Sequence, residues 1–498
     1  MNSWKRACYI YLASIGIVIG IPILLMLIID PYNISMWVTS KWLNAKVPEI
    51  SNQSRLAKAT SIIRHKPDTI IIGSSVADGG FAIPGSTYSY DINRAEHLDD
   101  YTKSPFVFNA GIRGGVIEDG FEMLKHAYAN NPNLKHVIAG YEWAQFTAIR
   151  PITAMHDTEV YGRTTLFPFV YKKYCTWTAL DDALHTVESN AGISREKLLE
   201  TVRHPYHLIL GMSAISEAGA AEDNAIFSRI PGDNTSPYPV IAYNDQIFSH
   251  EFYFAFWYTI SLKNRFQQSG ENGVIDKDAL EVLRKIVAFT QEKHITFTLY
   301  ISPQPPLLWD MVRKDGLWPM YEKWIRTVAE ITPFYDFSRF PDVLNDEKHK
   351  SFGDDIVHFL PTLGEKLLPI LLRDNDHEHG PYHVTKETVN EDIAARRSEL
   401  DNWLKVNQST SEMVNNLDFD SNKGSDDLST IIPALYNPPV NGFRIIRHLY
   451  DQYLALPVST QPYDLQHVLN HSYDSMITGT SVEDVVAKLN HIAVAKNK

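Results

Sequence analysis

Cysteine is nearly missing from this chain: Cys8 and Cys175 are the only two, and Cys8 sits inside an apolar N-terminal run. One thiol elsewhere supports neither a disulfide framework nor a cysteine-built metal centre. Basic charge is also in deficit. The 46 lysines and arginines face 59 aspartates and glutamates, for a formal net charge of -13, and they form no cluster. That balance argues against nucleic acid and against an anionic membrane surface as electrostatic partners. There is no internal repeat, and the glycine-rich stretch Gly111–Gly115 lacks the Lys-Ser/Thr that completes a phosphate-binding P-loop. What the chain has is length, 498 residues, and 44% hydrophobic composition, enough for one large or two ordinary domains.

From Cys8 to Ile29 no residue is charged. At about 1.5 Å per residue this run is long enough for a hydrocarbon core of roughly 30 Å. Lys5 and Arg6 precede it, which predicts a cytoplasmic N-terminus and export of everything after Asp30. Met26 to Pro31 offers no small-x-small cleavage site, so residues 1–30 read as a leader and an uncleaved single-pass anchor. Residues 31–68 read as a juxtamembrane connector, with Trp37 and Trp42 suited to the interface.

The α/β rhythm begins at Thr69-Ile70-Ile71-Ile72-Gly73-Ser74-Ser75, a β-branched run that stops abruptly in small polar residues. A buried parallel strand reads this way when it delivers a side chain to the carboxyl edge of a sheet. Further strands are expected at 106–108, 134–139, 294–301 and 334–337. Helices are expected at 118–129, 277–292, 321–331 and 361–372, which implies βαβ units and a parallel sheet across 69–372. Residues 144–270 interrupt the rhythm as a large, mostly helical insertion, with helices near 176–189 and 252–266. Residues 373–429 read as a polar linker with a short helical stretch near 386–405, and 430–498 as a small helical appendage.

Ser75 near one end of this region and Asp355-x-x-His358 near the other supply a nucleophile, an orienting carboxylate and a base. A serine hydroxyl is a weak nucleophile until a base takes its proton, and a carboxylate fixes the imidazole tautomer. By spacing alone the pattern is common, and a satisfied structural histidine is the competing reading.

Taken in order, these pieces resemble the SGNH, or GDSL-like, hydrolase superfamily, in particular the membrane-anchored bacterial branch related to cell-surface polysaccharide O-acetylation. Gly73-Ser74-Ser75 is similar to the first block, with Ser74 where many relatives have Asp. Asn109 with Gly114 five residues later is similar to the second block, and Gly140-Tyr141-Glu142 falls where the third has Gly-x-Asn. Asp355-x-x-His358 matches the last, Tyr335-Asp336-Phe337-Ser338 precedes it in the familiar way, and Asp30-Pro31-Tyr32 follows the anchor. The resemblance covers roughly residues 25–372 without the insertion. It implies a three-layer flavodoxin-like core and a Ser75-His358-Asp355 triad with an oxyanion hole from the N–H groups of Ser75 and Gly114. It also implies acyl esterase or O-acyltransferase chemistry on a cell-surface glycan, with no cofactor or metal, and a membrane-bound acyltransferase as a partner. Glu142 is a departure, because it replaces an amide donor with a carboxylate. Three outcomes follow for it: protonation by burial, a side chain turned away towards Arg113, or a fold that has lost activity and serves glycan binding or assembly. The turn towards Arg113 is the expectation.

Two other motifs have plainer readings. Asp376-His377-Glu378-His379 with His383 has metal-ligating side chains but sits in a polar, solvated stretch. The aromatic run from Phe252 to Tyr258 fits a buried or membrane-facing helix better than a sugar platform.

Overall fold

In this computed structural model the described residues are 23–86, 102–147, 173–174, 176–191, 275–345, 351–352, 358–373 and 380–408. Single positions at 4, 11, 14, 20 and 411, and strand residues 242–243, 246–247, 443–448, 452–457 and 477–479, complete them.

Strand β1 (Thr69–Gly73) is buried along its whole length. Ile70 and Ile72 enter one apolar core and Ile71 the other, the alternation of a strand covered on both faces. β2 (Val107–Asn109) and β3 (His136–Tyr141) flank it in parallel, Ile70 lying level with Phe108 on one side and Val137 on the other. β4 (Thr296–Ile301) runs parallel to β3, and β5 (Phe334–Asp336) parallel to β4. β6 (His383–Val384) closes the sheet antiparallel to β5. The order is therefore β2-β1-β3-β4-β5-β6. The chain steps from β1 outward to β2, then crosses back to β3 on the other side of β1. Such a reversal leaves a crevice outside the carboxyl ends of β1 and β3.

Helices cover both faces. On one lie α3 (Ile117–Asn130), α5 (Lys277–Glu292) and α7 (Trp318–Ile331), contributing Met123, Leu124, Leu283, Ile286, Trp324 and Val328 to the larger core. Their apolar residues recur at helical spacing, as Ala279, Leu283 and Ile286 do in α5, and Asp276 caps α5 by accepting from the N–H groups of Asp278 and Ala279. On the other face α8 (Pro361–Leu372) packs Leu363, Leu367 and Leu371 against Ile71, Ile138 and Phe81.

Thr147 forms an antiparallel bridge with Ile275, and Asp276 N–H donates to Phe146 O at 2.9 Å. The chain thus leaves and re-enters the sheet region at one point, so a long insertion fits without disturbing the strands. Within it, α4 (Trp177–Ala191) matches the expected helix at 176–189, and Ala242–Tyr243 pairs with Gln246–Ile247 as two short antiparallel strands. The helix expected at 252–266, with its aromatic run, lies outside the described residues. The connector is more than a spacer: Tyr32, Ile34, Val47, Ile50 and, from α1 (Ser54–His65), Leu56 form an apolar cluster with Tyr174 and Ala179 of the insertion.

Two expectations are corrected. The stretch read as a polar linker contains β6, and its helix, expected near 386–405 and observed as α9 (Val389–Val406), docks on the core through Val389, Ile393 and Leu400. Its polar appearance reflects a buried face that also holds charge: Arg396 pairs with Asp336 and bonds the Tyr321 hydroxyl, and Arg339 pairs with Glu399. The described residues of the C-terminal tail are strands rather than helices. Phe443–His448, Gln452–Pro457 and Ile477–Gly479 form an antiparallel sheet, in keeping with the strand preference of Phe443, Ile445 and Ile446. Apart from these two corrections, no helix among the described residues is long and apolar enough to cross a membrane. Residues 23–29 are helical, and the expected anchor N-terminal to them falls almost wholly outside the described residues.

Candidate active site

The site grows from the end of β1. A Cβ on Gly73 would stand 2.5 Å from Gly140 O, so only glycine lets β1 and β3 approach this closely here. Ser74 follows as the cap of α2 (Ser75–Gly80), its Oγ accepting from Val76 N–H at 3.1 Å. Ser75 is the first residue of that helix, where the N–H has no intrahelical acceptor.

His358 arrives from the segment that leads into α8. Its Nε2 lies 2.8 Å from Ser75 Oγ, across 283 positions of sequence. What holds it there is the anchoring of the two residues that follow it. Leu360 N–H donates to Ser351 O at 2.7 Å, and the Phe359 ring meets Phe81 edge-on at 5.4 Å. Asp355, the expected third member, lies outside the described residues.

The turn after β2 closes the other side. Ala110 N–H donates to Ile71 O at 2.7 Å and Ile112 N–H to Gly73 O at 2.9 Å, which carries the turn to the Ser74-Ser75 junction. Gly114 follows with φ of 64°, a left-handed conformation that glycine adopts without strain. Asn109 stitches this turn to α2: its amide donates to Ala77 O at 2.9 Å and Phe81 O at 2.9 Å, and its Oδ1 accepts from Gly111 N–H at 3.0 Å.

Beneath the turn is a buried ion cluster that the sequence reading missed. Lys58, from α1, places Nζ 2.5 Å from Asp78 Oδ1 and also donates to Gly111 O. Both side chains are essentially without solvent contact, 1% and 0% exposed. Burial pulls the Lys58 ammonium below its ordinary value, against the attraction of Asp78. A lysine set among Leu56, Ala57 and Ala59 was the signal available in the sequence.

Arg113 completes the cluster, its Nε 3.4 Å from Asp78 Oδ2, and this corrects the expected turn of Glu142 towards Arg113. Glu142, at the end of β3, is buried at 7% exposure. Its Oε2 accepts from Ser74 Oγ and its Oε1 from Ser302 Oγ, each at 2.9 Å. Burial pushes its pKa up to about 7, opposed by those two hydrogen bonds and by the charge of nearby His358. The Tyr300 hydroxyl is raised well above its usual value as well, by burial first and then by the Glu142 charge. Ser302 caps the end of β4 and was not singled out from sequence, although it occupies on β4 the edge position that Ser74 occupies on β1.

The arrangement thus brings Ser75 and His358 together, sets Gly114 in the adjoining turn, and places Glu142 one residue's reach behind the nucleophile. Among the described residues no group of acidic, histidine and cysteine side chains is fit to hold a metal ion, and residues 374–379 of the His-rich motif lie outside them. A scan against protein-family models and a search of curated proteins both return no match.

Proposed function

We propose that this chain is a membrane-anchored, extracytoplasmic SGNH-like acyl esterase or O-acyltransferase acting on a cell-surface glycan. The observation that carries the reading is the 2.8 Å contact of His358 Nε2 with Ser75 Oγ at the carboxyl edge of the sheet. The 2-1-3-4-5 order of the parallel strands, shared with flavodoxin-like folds, supports the SGNH assignment.

In this reading Ser75 Oγ attacks the acyl carbonyl while its proton passes to His358 Nε2. Asp355 holds the imidazole in the tautomer that leaves Nε2 free to accept. The N–H groups of Ser75 and Gly114 receive the developing oxyanion. Collapse breaks the bond to the leaving oxygen, which takes the proton from His358, and leaves Ser75 acylated. Water in hydrolysis, or a glycan hydroxyl in transfer, then reverses the sequence with His358 as base and acid in turn. A membrane-bound acyltransferase is the expected source of acyl groups in the transfer case.

The reading is tested with a fluorophosphonate probe. Labelling of the full chain that disappears in Ser75→Ala supports it, and equal labelling of both proteins refutes it.

Glu142 favours a second reading, a glycan-binding or assembly protein on the same fold without turnover. Its two oxygens are engaged with Ser74 and Ser302, so the third block contributes no amide donor. Absence of labelling in a folded chain that still retains glycan selects this reading.

A further inference from the structure

The exposed large apolar side chains of the described residues are unevenly distributed. All but Val406 fall either before residue 43 or at the start of α4. Trp177 is 87% exposed and Trp37 60%, and Leu24, Leu25, Trp42 and Leu180 are between 40% and 50% exposed. Isolated apolar residues on a surface need no explanation, but a group of this size gathered in one place does.

Hydrogen bonds gather it. Asn44 donates to Ile28 O at 3.0 Å and to Val38 O at 2.8 Å, tying the Trp37–Trp42 loop to the last turn of the helix at 23–29. The Asp30 carboxylate, just past that turn, accepts from the N–H groups of Ile34, Ser35 and Met36 and from the Tyr174 hydroxyl. Tyr174 stacks on Tyr32 at 5.9 Å, and the Tyr32 hydroxyl reaches Asp182 of α4 at 2.5 Å. The start of α4 is therefore clamped against the same turn. Its buried face is Ala179, Asp182, Ala183, Thr186 and Asn190, and Trp177 and Leu180, one helical turn apart, stand on the outer side.

We infer that this collar docks on a lipid bilayer, so that the insertion lies against the membrane interface through Trp177 and Leu180. The inference rests on the proposed anchoring by the segment before Asp30. Continuity argues for a bilayer as occupant: Leu24 and Leu25 belong to the uncharged run from Cys8 to Ile29, and the collar is hydrogen-bonded to the turn where that run ends. Residue type argues the same way, since tryptophan favours the headgroup level, where its ring is apolar and its N–H stays hydrated. The collar is also linked to the site through α1. Leu56 and Ala57 of α1 pack in the cluster with Tyr32 and Tyr174, while Lys58 on the same helix grips Asp78 of α2. Docking would hold the Ser75–His358 edge at a fixed height and orientation over the lipid.

The test uses the full chain in phosphatidylcholine–phosphatidylglycerol vesicles, with Cys8 and Cys175 replaced and an environment-sensitive fluorophore on Trp177→Cys or Leu180→Cys. Val406→Cys on α9, 84% exposed, is the reference position. The expected result is a blue-shifted emission at 177 and 180 that nitroxide-labelled lipid quenches, with no change at 406. Emission at 177 and 180 that matches 406, in chains that resist alkaline extraction, overturns the docking and leaves the anchoring intact. Chains released by alkaline extraction overturn the anchoring and the docking together. Efficient disulfide formation between two 177 positions identifies a second copy as occupant and also overturns the bilayer. Trp177 is largely exposed and Leu180 is 40% exposed, and neither belongs to the buried core, so neither substitution empties it.

Discussion

Glu142→Gln removes a buried charge while keeping the size of the side chain, and its effect on stability should depend on pH. In the folded chain burial lifts this carboxyl from 4.5 to about 7. At about 1.36 kcal/mol per pH unit, ionising it in place costs about 3 kcal/mol more than in the unfolded chain. Between pH 4.5 and 7 the folded state keeps a proton that the unfolded state has released. Stability therefore falls as pH rises through that window, and the loss is complete above it. Gln does not titrate, and its amide can satisfy the hydroxyls of Ser74 and Ser302 in turn. The variant should match the parent near pH 4.5 and exceed it by up to about 3 kcal/mol at pH 8. The groups facing Glu142, namely Tyr141, Tyr300 and His358, are unchanged by the substitution, and the two tyrosines stay neutral throughout. Urea unfolding midpoints at pH 5, 6, 7 and 8 provide the measurement. Parallel curves for the two proteins would refute the buried, titrating carboxyl.

Glu142→Asn shortens the side chain and restores an amide, so turnover of a small acyl ester should rise or stay level, with about 10²–10³ as the most one oxyanion donor supplies. A large fall with the fold intact would instead assign Glu142 to the chemistry. Ser75→Ala, His358→Ala and the double variant should lose esterase activity to similar extents, because the base has no task without the nucleophile; multiplying losses would exclude a shared unit. Lys58→Met leaves Asp78 buried without its close partner and should destabilise the chain by about 3–5 kcal/mol in chemical unfolding. Lys58→Met combined with Asp78→Asn should recover part of that loss, and no recovery would mean that the pair is not the cause.

Much of the site could be read from local pattern. Ile70 to Gly73 announces a buried strand because three β-branched residues in a row suit a sheet covered on both faces, and the following serines announce its edge. His358 precedes a helix whose expected bounds, 361–372, agree with those observed. Other elements carry no local signature. Helix α6 (Pro306–Lys314) starts within a proline-rich run that reads as a loop, although Pro306 at its first position is compatible with a helix start. Arg396 and Asp392 make α9 look solvated, because a charge balanced by a partner 60 residues earlier is indistinguishable in sequence from one balanced by water.

By itself the sequence determined the alternation of strand and helix, the parallel sheet, and the identities of Ser75 and His358 as a candidate pair. These follow from side-chain periodicity and from short-range backbone preference, which act over a few residues. Tertiary structure alone decided that His358 faces Ser75, that Arg113 turns to Asp78, and that Glu142 lies between Ser74 and Ser302. Each of those outcomes depends on which distant groups share a buried volume, and a carboxylate in such a place goes to the donors that replace its lost water.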